Sequence, residues 1–162
     1  MSTRAIIARP RGDGFVGRYH HWDGYPTGLG AALWELANTQ FKGNLSGMLE
    51  VLLDKHKAGW STIMGQRGAA DFSEPIGWSE THDTNQPQCY CHGGRHEKAQ
   101  VFDSTQKETW CEWAYVITQT TETMAVLVRA GGEWRLVDVV KLIQKPDWKA
   151  IELRGGAIRE EA

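Results

Sequence analysis

Alternation and periodicity of the apolar positions divide the chain into three parts. Thr3 to Ala8 and Phe15 to His21 are short runs of strand-forming residues around Pro10, Arg11, Gly12, Asp13 and Gly14, all strong turn formers, and they predict a β-hairpin. Beyond the Asp23-Gly24 turn signal and Pro26, Leu29, Leu33 and Leu36 fall on one face at helical spacing. A helix is expected near 28–38, with Thr27 as its cap and a first turn weakened by Gly28 and Gly30. Leu45, Met48, Leu49 and Leu52 then recur at i, i+3, i+4, i+7 behind Asn44 as N-cap. This second helix should cover 45–57, with Lys55, His56 and Lys57 favoured at its negative end and Gly59 stopping it.

From Trp60 to about Gln100 the periodicity vanishes into Gly, Pro, Ser, Asp, Asn and His with scattered aromatics. Loops beyond about 12–15 residues are uncommon in compact domains, so a segment this long needs something to staple it. Three strand-like runs follow, Glu112 to Thr118, Met124 to Arg129 and Trp134 to Leu142, separated by Thr-rich and Gly131-Gly132 turns. They read as an antiparallel meander. The expected fold is a single α+β domain over 1–154, with hairpin and meander joined in one largely antiparallel sheet and two helices covering one face. Residues 155–162, with two glycines and a charged finish, are expected to form a flexible tail.

Composition narrows the class. The 162 residues are 41% hydrophobic and 23% charged, which is ordinary for a globular protein and far from the disordered class. Eight tryptophans, each with an indole N–H to place, call for a tightly packed core, an aromatic binding surface, or both. A net charge of −2, spread evenly over the two halves, provides no field for extended nucleic-acid binding or for an anionic membrane. The one local excess is Arg4, Arg9, Arg11 and Arg18 against Asp13, either a solvated hairpin face or a small phosphate-contacting patch. No run approaches the roughly 18–20 apolar residues of a membrane span, and no apolar secretion signal opens the chain. Three cysteines cannot make a paired disulfide framework, so a reducing cytoplasm is the expected location.

Two clusters carry chemistry. Cys89-Tyr90-Cys91-His92-Gly93-Gly94-Arg95-His96, followed by Cys111, gathers every cysteine and two histidines. Cys89, Cys91 and Cys111 with either His92 or His96 supply the four ligands of a closed, structural zinc site, and the intervening glycines let the backbone fold back. The C-x-C spacing is tighter than the usual C-x2-C; the alternative is that Cys111 is a small buried hydrophobe and the other two are surface thiols. The second cluster is Tyr19-His20-His21-Trp22-Asp23-Gly24-Tyr25-Pro26. On an extended strand Tyr19, His21 and Asp23 share one face, and His20 and Trp22 the other. Tyr19, His21, Trp22, Asp23 and Tyr25, with Arg4 and Arg18, form a candidate ligand site; equally, Asp23-Gly24 makes a turn against which Trp22 and Tyr25 pack.

These residues also resemble an uncharacterised family of small bacterial and bacteriophage proteins. Its members open with an M-x-T-R strand, here Met1-Ser2-Thr3-Arg4, and carry an H-W-D-G-Y-P turn, here His21 to Pro26. Looser likeness continues at Gly59-Trp60-Ser61, Cys89 to Gly93 and Glu112 to Val116. The resemblance implies a phage or accessory-genome setting, hence a host cytoplasm, and assigns no substrate.

Three functions follow. The first is a non-enzymatic protein whose aromatic and histidine turn holds a small anionic or nucleotide-like ligand or a host protein. The second is a hydrolase using His20, His21 and Asp23 as acid/base groups or as ligands of an open metal site. The third is a structural or virion-associated module with a tryptophan-rich interface, and a homo-oligomer is compatible with any of these.

Overall fold

The alternation of the first twenty residues does produce a hairpin. In the computed structural model, which describes residues 2–80 and 85–162, β1 (Ala5–Arg11) and β2 (Gly14–His20) pair in register from Ala5↔His20 to Arg11↔Gly14. Met1 of the M-x-T-R motif lies outside the described residues, as do positions 81–84 of the long irregular segment. The chain then enters a wide π-type turn at Pro26–Gly30 and continues as α1 (Ala31–Asn38). Thr27 does not cap it: its hydroxyl donates to Glu152 at 2.8 Å. Asn44 does cap α2 (Leu45–Leu49), accepting the Gly47 N–H at 3.0 Å, and α2 widens into a second π-type turn at Glu50–Asp54 that buries Leu52 and Leu53.

The long irregular segment contributes only short strands: β3 (Trp60–Thr62), β4 (Met64–Gly65), β5 (Gly68–Ala69), β6 (Gln88–Cys89) and β7 (Phe102–Asp103). The meander follows as β8 (Trp113–Thr118), β9 (Thr123–Ala130) and β10 (Glu133–Lys141). All but β4 and β5, which pair separately, form an eight-stranded sheet with the hairpin in the order β10-β9-β8-β1-β2-β3-β6, with β7 also paired to β2. Hairpin and meander join through β1 and β8, which run parallel from Ala5↔Trp113 to Ala8↔Val116. The sheet is otherwise mostly antiparallel, apart from the single parallel bridge of β2 to β3. Alternation gives it two apolar faces. Ala5, Ile7, Trp113 and Tyr115 face Leu33, Leu36 and Met48 of the helical layer, while Ile6, Ala8, Ala114 and Val116 face the other way with Phe15 and Cys111. No helix among the described residues is long and apolar enough to cross a membrane.

The C-terminus corrects the expectation of a tail. Residues 155–161 belong to α3 (Trp148–Glu161), capped by Asp147, which accepts the Ala150 N–H at 3.1 Å, and anchored by buried Trp148 and Ile151. Gly155 is what lets this helix seat, since a Cβ there would overlap the Trp113 ring, whereas one at Gly156 would meet open space. Alanine is worth up to about 1 kcal/mol over glycine in a helix, and overpacking costs about 1–3 kcal/mol. Gly156→Ala should therefore raise the thermal midpoint and Gly155→Ala lower it; equal shifts in the two variants would mean that α3 does not pack on Trp113.

His20 lies opposite Ala5 on the helix-covered face, fully buried, and its Nε2 accepts the Ile63 N–H at 3.0 Å. Burial, and secondarily the neighbouring His21, push its pKa down to about 3, against a weak pull upward from the Trp22 backbone. An unfolded histidine takes up its proton near pH 6.5, so between there and about pH 3 protonation favours the unfolded chain. Stability should fall across that window by a few kcal/mol for this group, on the order set by the shift. His20→Gln, which keeps an acceptor for Ile63, should flatten the loss in acid denaturation; an unchanged pH dependence would contradict the burial of a neutral imidazole.

Candidate functional site

The site is built at the β3–β6 edge of the sheet. Trp60 sits between His20 of β2 and Cys89 of β6 as cross-strand partner of both, so the three side chains share the helix-covered face. The Trp60 indole N–H donates to the Leu52 carbonyl at 2.9 Å, which ties β3 to the end of the second helix. The intervening turn lays the His56 ring 4.8 Å from Trp60. Gly59, expected as the helix stop, has φ +87° and passes so close to Tyr19 that a Cβ would sit 2.8 Å from the Tyr19 carbonyl oxygen. After β6 the chain folds back through Gly93 at φ +69°, where any side chain would overlap the Trp78 carbonyl.

His56, Cys89, Cys91 and His92 converge here, with one ligand atom from each lying within 4.8 Å of the others. His92 Nδ1 is 3.3 Å from Cys89 Sγ and 3.2 Å from Cys91 Sγ, and His56 Nδ1 is 3.5 Å from Cys91 Sγ. Tetrahedral bonds of about 2.3 Å to sulfur and 2.0–2.1 Å to nitrogen imply S···N edges of about 3.5 Å. The group could therefore hold a metal ion with little rearrangement. Burial, then the charges of His92 and Lys55, lower His56 to about 4, which leaves a neutral imidazole ready to ligate. Burial, followed by interaction with Cys91, pushes the Cys89 thiol up to about 12, so ionising it requires a positive charge that the surrounding protein does not supply.

This group differs from the sequence expectation by one exchange. Cys111 lies on the opposite face of the sheet, its Sγ donating to the Ala5 carbonyl at 3.7 Å, and burial raises it to about 11. It is a small buried hydrophobe with a weak thiol donor. His96 is exposed at φ +51° and takes no part. His56, read from sequence only as a favourable charge at a helix end, is the fourth member. The only local hint was its place just before Gly59; the rest comes from the pairing of Trp60 with Cys89.

Tyr90, between the two cysteines, projects to the other side of the sheet edge. There it helps line an open cavity of about 600 Å³ with Arg4, Tyr19, His21, Arg95, Phe102 and Trp110. The Tyr19 hydroxyl donates to His21 Nδ1 at 2.6 Å. His21 is held below its usual pKa by burial and then by Arg4 and Arg95, and burial lifts Tyr19 to about 12 despite the opposing Arg4 charge. A protonated phenol beside a neutral imidazole suits the tautomer in which the phenol donates to Nδ1 and His21 keeps its own hydrogen on Nε2. Phe102 stacks on Tyr19 with centroids 5.5 Å apart. The Arg4 guanidinium lies 5.6 Å over the Trp110 ring, and Arg95 lies 5.3 Å from Trp78 and 5.2 Å from Tyr90 while pairing with Glu97 at 3.0 Å.

Of the candidate residues in the histidine turn, Tyr19 and His21 reach this cavity, joined by Arg4. Trp22 packs edge-on against His21 at 4.7 Å. Asp23 and Tyr25 face each other, the Tyr25 hydroxyl donating to Asp23 at 3.1 Å, and the Asp23 carbonyl accepts the Leu29 N–H. Gly24 is clamped between the Thr3 carbonyl, which takes its N–H at 2.8 Å, and the Tyr115 hydroxyl, which donates to its carbonyl at 2.6 Å. The turn is thus mostly architecture. Arg18 is too, since it donates to the carbonyls of Leu53, Lys57 and Gln100 and so ties the long segment to β2. His20, sealed in the core, has no route to a substrate. Tyr90, Arg95, Phe102 and Trp110 were missed because no periodicity marks them; the one usable signal was that in a C-x-C pair the middle residue points away from two cysteines that turn to one metal. Comparison of the chain with protein-family models, with curated proteins and with solved structures finds no match.

Proposed function

We propose that this is a small-ligand-binding protein in which a zinc ion on His56, Cys89, Cys91 and His92 holds one wall of the Tyr19–His21 pocket. The observation that carries the reading is the Cys89-Tyr90-Cys91 alternation: the sulfurs turn to the two imidazoles and the tyrosine turns into the cavity. Two thiolates and two imidazoles in tetrahedral reach are a zinc donor set, and four protein ligands leave no open position for catalysis. Zinc here is structural. The pocket, with its arginines and aromatic rings, is suited to the small anionic or nucleotide-like ligand expected from the sequence. The N-terminal resemblance to bacteriophage proteins and the three free thiols fit work in a host cytoplasm.

Protein purified from metal-replete cells should contain close to one equivalent of zinc by elemental analysis, and X-ray absorption should show two sulfur and two nitrogen neighbours. Competition with a chromophoric chelator should show at least about a tenfold loss of affinity for His56→Ala and Cys91→Ser, the size of effect typical of perturbed metal sites. Cys111→Ser and His96→Ala should retain zinc fully. Metal-free protein, or a His56→Ala variant that keeps wild-type affinity, would refute the assignment.

A further inference from the structure

Resting on the reading of this cavity as a ligand pocket, we infer that it selects a planar aromatic molecule carrying one acidic group. The ring would lie among Tyr90, Phe102 and Trp110, and the acid would be bound by the Arg4 guanidinium and the His21 Nε2–H.

The charge balance sets the number of acidic groups. The ionised side chains that line the cavity are Arg4, Arg95, Glu97 and Glu108, two of each sign. Arg95 is already neutralised by Glu97, whereas Arg4 makes no ion pair among the described residues. One guanidinium can fork onto one carboxylate or one phosphate, and Glu108 at the rim would repel further negative charge. A polyphosphate therefore gains nothing over a single acidic group. His21 adds the second donor: with Nδ1 committed to the Tyr19 hydroxyl, its Nε2–H has no partner among the described residues.

The aromatic requirement comes from the walls. Trp110 is 82% exposed, the most exposed large apolar side chain described, and it is positioned by the cation–π contact with Arg4. A flat ring entering the cavity would cover the indole and keep the guanidinium in its plane, so ring and acid would be recognised by one Arg–Trp unit. The cavity volume is within the roughly 300–1,000 Å³ of ordinary small-molecule sites.

Tryptophan fluorescence titrations of the zinc-loaded protein can test this with matched probes. 2-Naphthoate supplies a carboxylate and adenosine monophosphate a phosphate; 2-naphthalenemethanol and adenosine are their neutral counterparts, acetate and ribose 5-phosphate their non-aromatic ones. At least one aromatic anion should bind ten times or more tightly than both of its counterparts, the better of the two identifying the acidic group, and adenosine triphosphate should bind no tighter than the monophosphate. Arg4→Gln should remove the advantage of the anion over its neutral counterpart, and Trp110→Ala that of the ring over the non-aromatic anion, with zinc content and thermal midpoint unchanged. Equal affinity for neutral and anionic rings, no saturable binding by any probe, tighter binding of the triphosphate, or an undiminished Arg4→Gln variant would overturn the inference. Binding by protein that proves to lack zinc would refute only the metal-held wall, and neutral-ring binding by zinc-loaded protein would refute only the ligand class.

Discussion

The opposite orientation of neighbouring side chains at Cys89-Tyr90-Cys91, where the chain leaves the end of β6, is the constraint on which the rest of the site depends. One peptide segment serves two faces of the sheet edge, with thiols on the helix-covered side and a phenol on the other. The segment has little else to hold it. β6 contributes only two residues to the ladder, and beyond it the chain is fixed by isolated bonds: Tyr90 N–H to the Gly59 carbonyl, Trp78 N–H to that of His92, Gly94 N–H to that of Trp78, Glu97 N–H to that of Tyr90, and Gln100 N–H to that of Lys57. Arg18 adds one side-chain bond from β2, to the Gln100 carbonyl, while also bonding the Leu53 and Lys57 carbonyls at the end of the second helix. A tetrahedral ion joining His56 to Cys89, Cys91 and His92 would link this edge to the end of the second helix, where no ladder does so, and metal-binding free energy of that kind acts directly as folding free energy.

The other half of the pocket needs no such help. Tyr19 and Arg4 sit beside β1, whose residues Ala5 to Ala8 are wholly buried at the centre of the sheet, and β1 is paired on both sides. The histidine turn is locked to the same centre through Gly24, held by Thr3 and Tyr115. The pocket is consequently asymmetric: a floor set on a long-range buried ladder, and a wall whose position depends on four ligand atoms. That asymmetry explains why the same short segment carries both the metal donors and the pocket residues Tyr90 and Arg95.

What could be read from the sequence was what repeats. The hairpin, the two amphipathic helices and the meander announce themselves by periods of 2 and 3.6, and all occur, although the second helix, expected to reach 57, is α-helical only over Leu45–Leu49 before its π-type turn ends at Asp54. The C-terminal helix did not, because its buried stripe is sparse and Gly155-Gly156 imitates a chain end; its glycine is explained only by the Trp113 ring that it admits. The candidate site was half legible. Composition found Cys89, Cys91 and His92, and strand parity put Tyr19 and His21 together, but Cys111 and His56 exchanged roles. Which face a cysteine takes at the mouth of a strand, and which histidine a distant pairing delivers, are long-range facts that local spacing does not encode. Arg18, Asp23 and Tyr25 looked like recognition chemistry and are bound to the fold's own carbonyls and carboxylates.

The dependence of the pocket wall on metal is most directly tested by amide hydrogen exchange of the zinc-loaded protein before and after chelation. Removal of the ion should release protection at Trp60–Thr62 and at 88–97, including Tyr90, while β1, β8 and β9 keep theirs. Unchanged exchange at 88–97 after verified zinc removal, or a uniform loss throughout the sheet, would contradict a wall held by that ion alone.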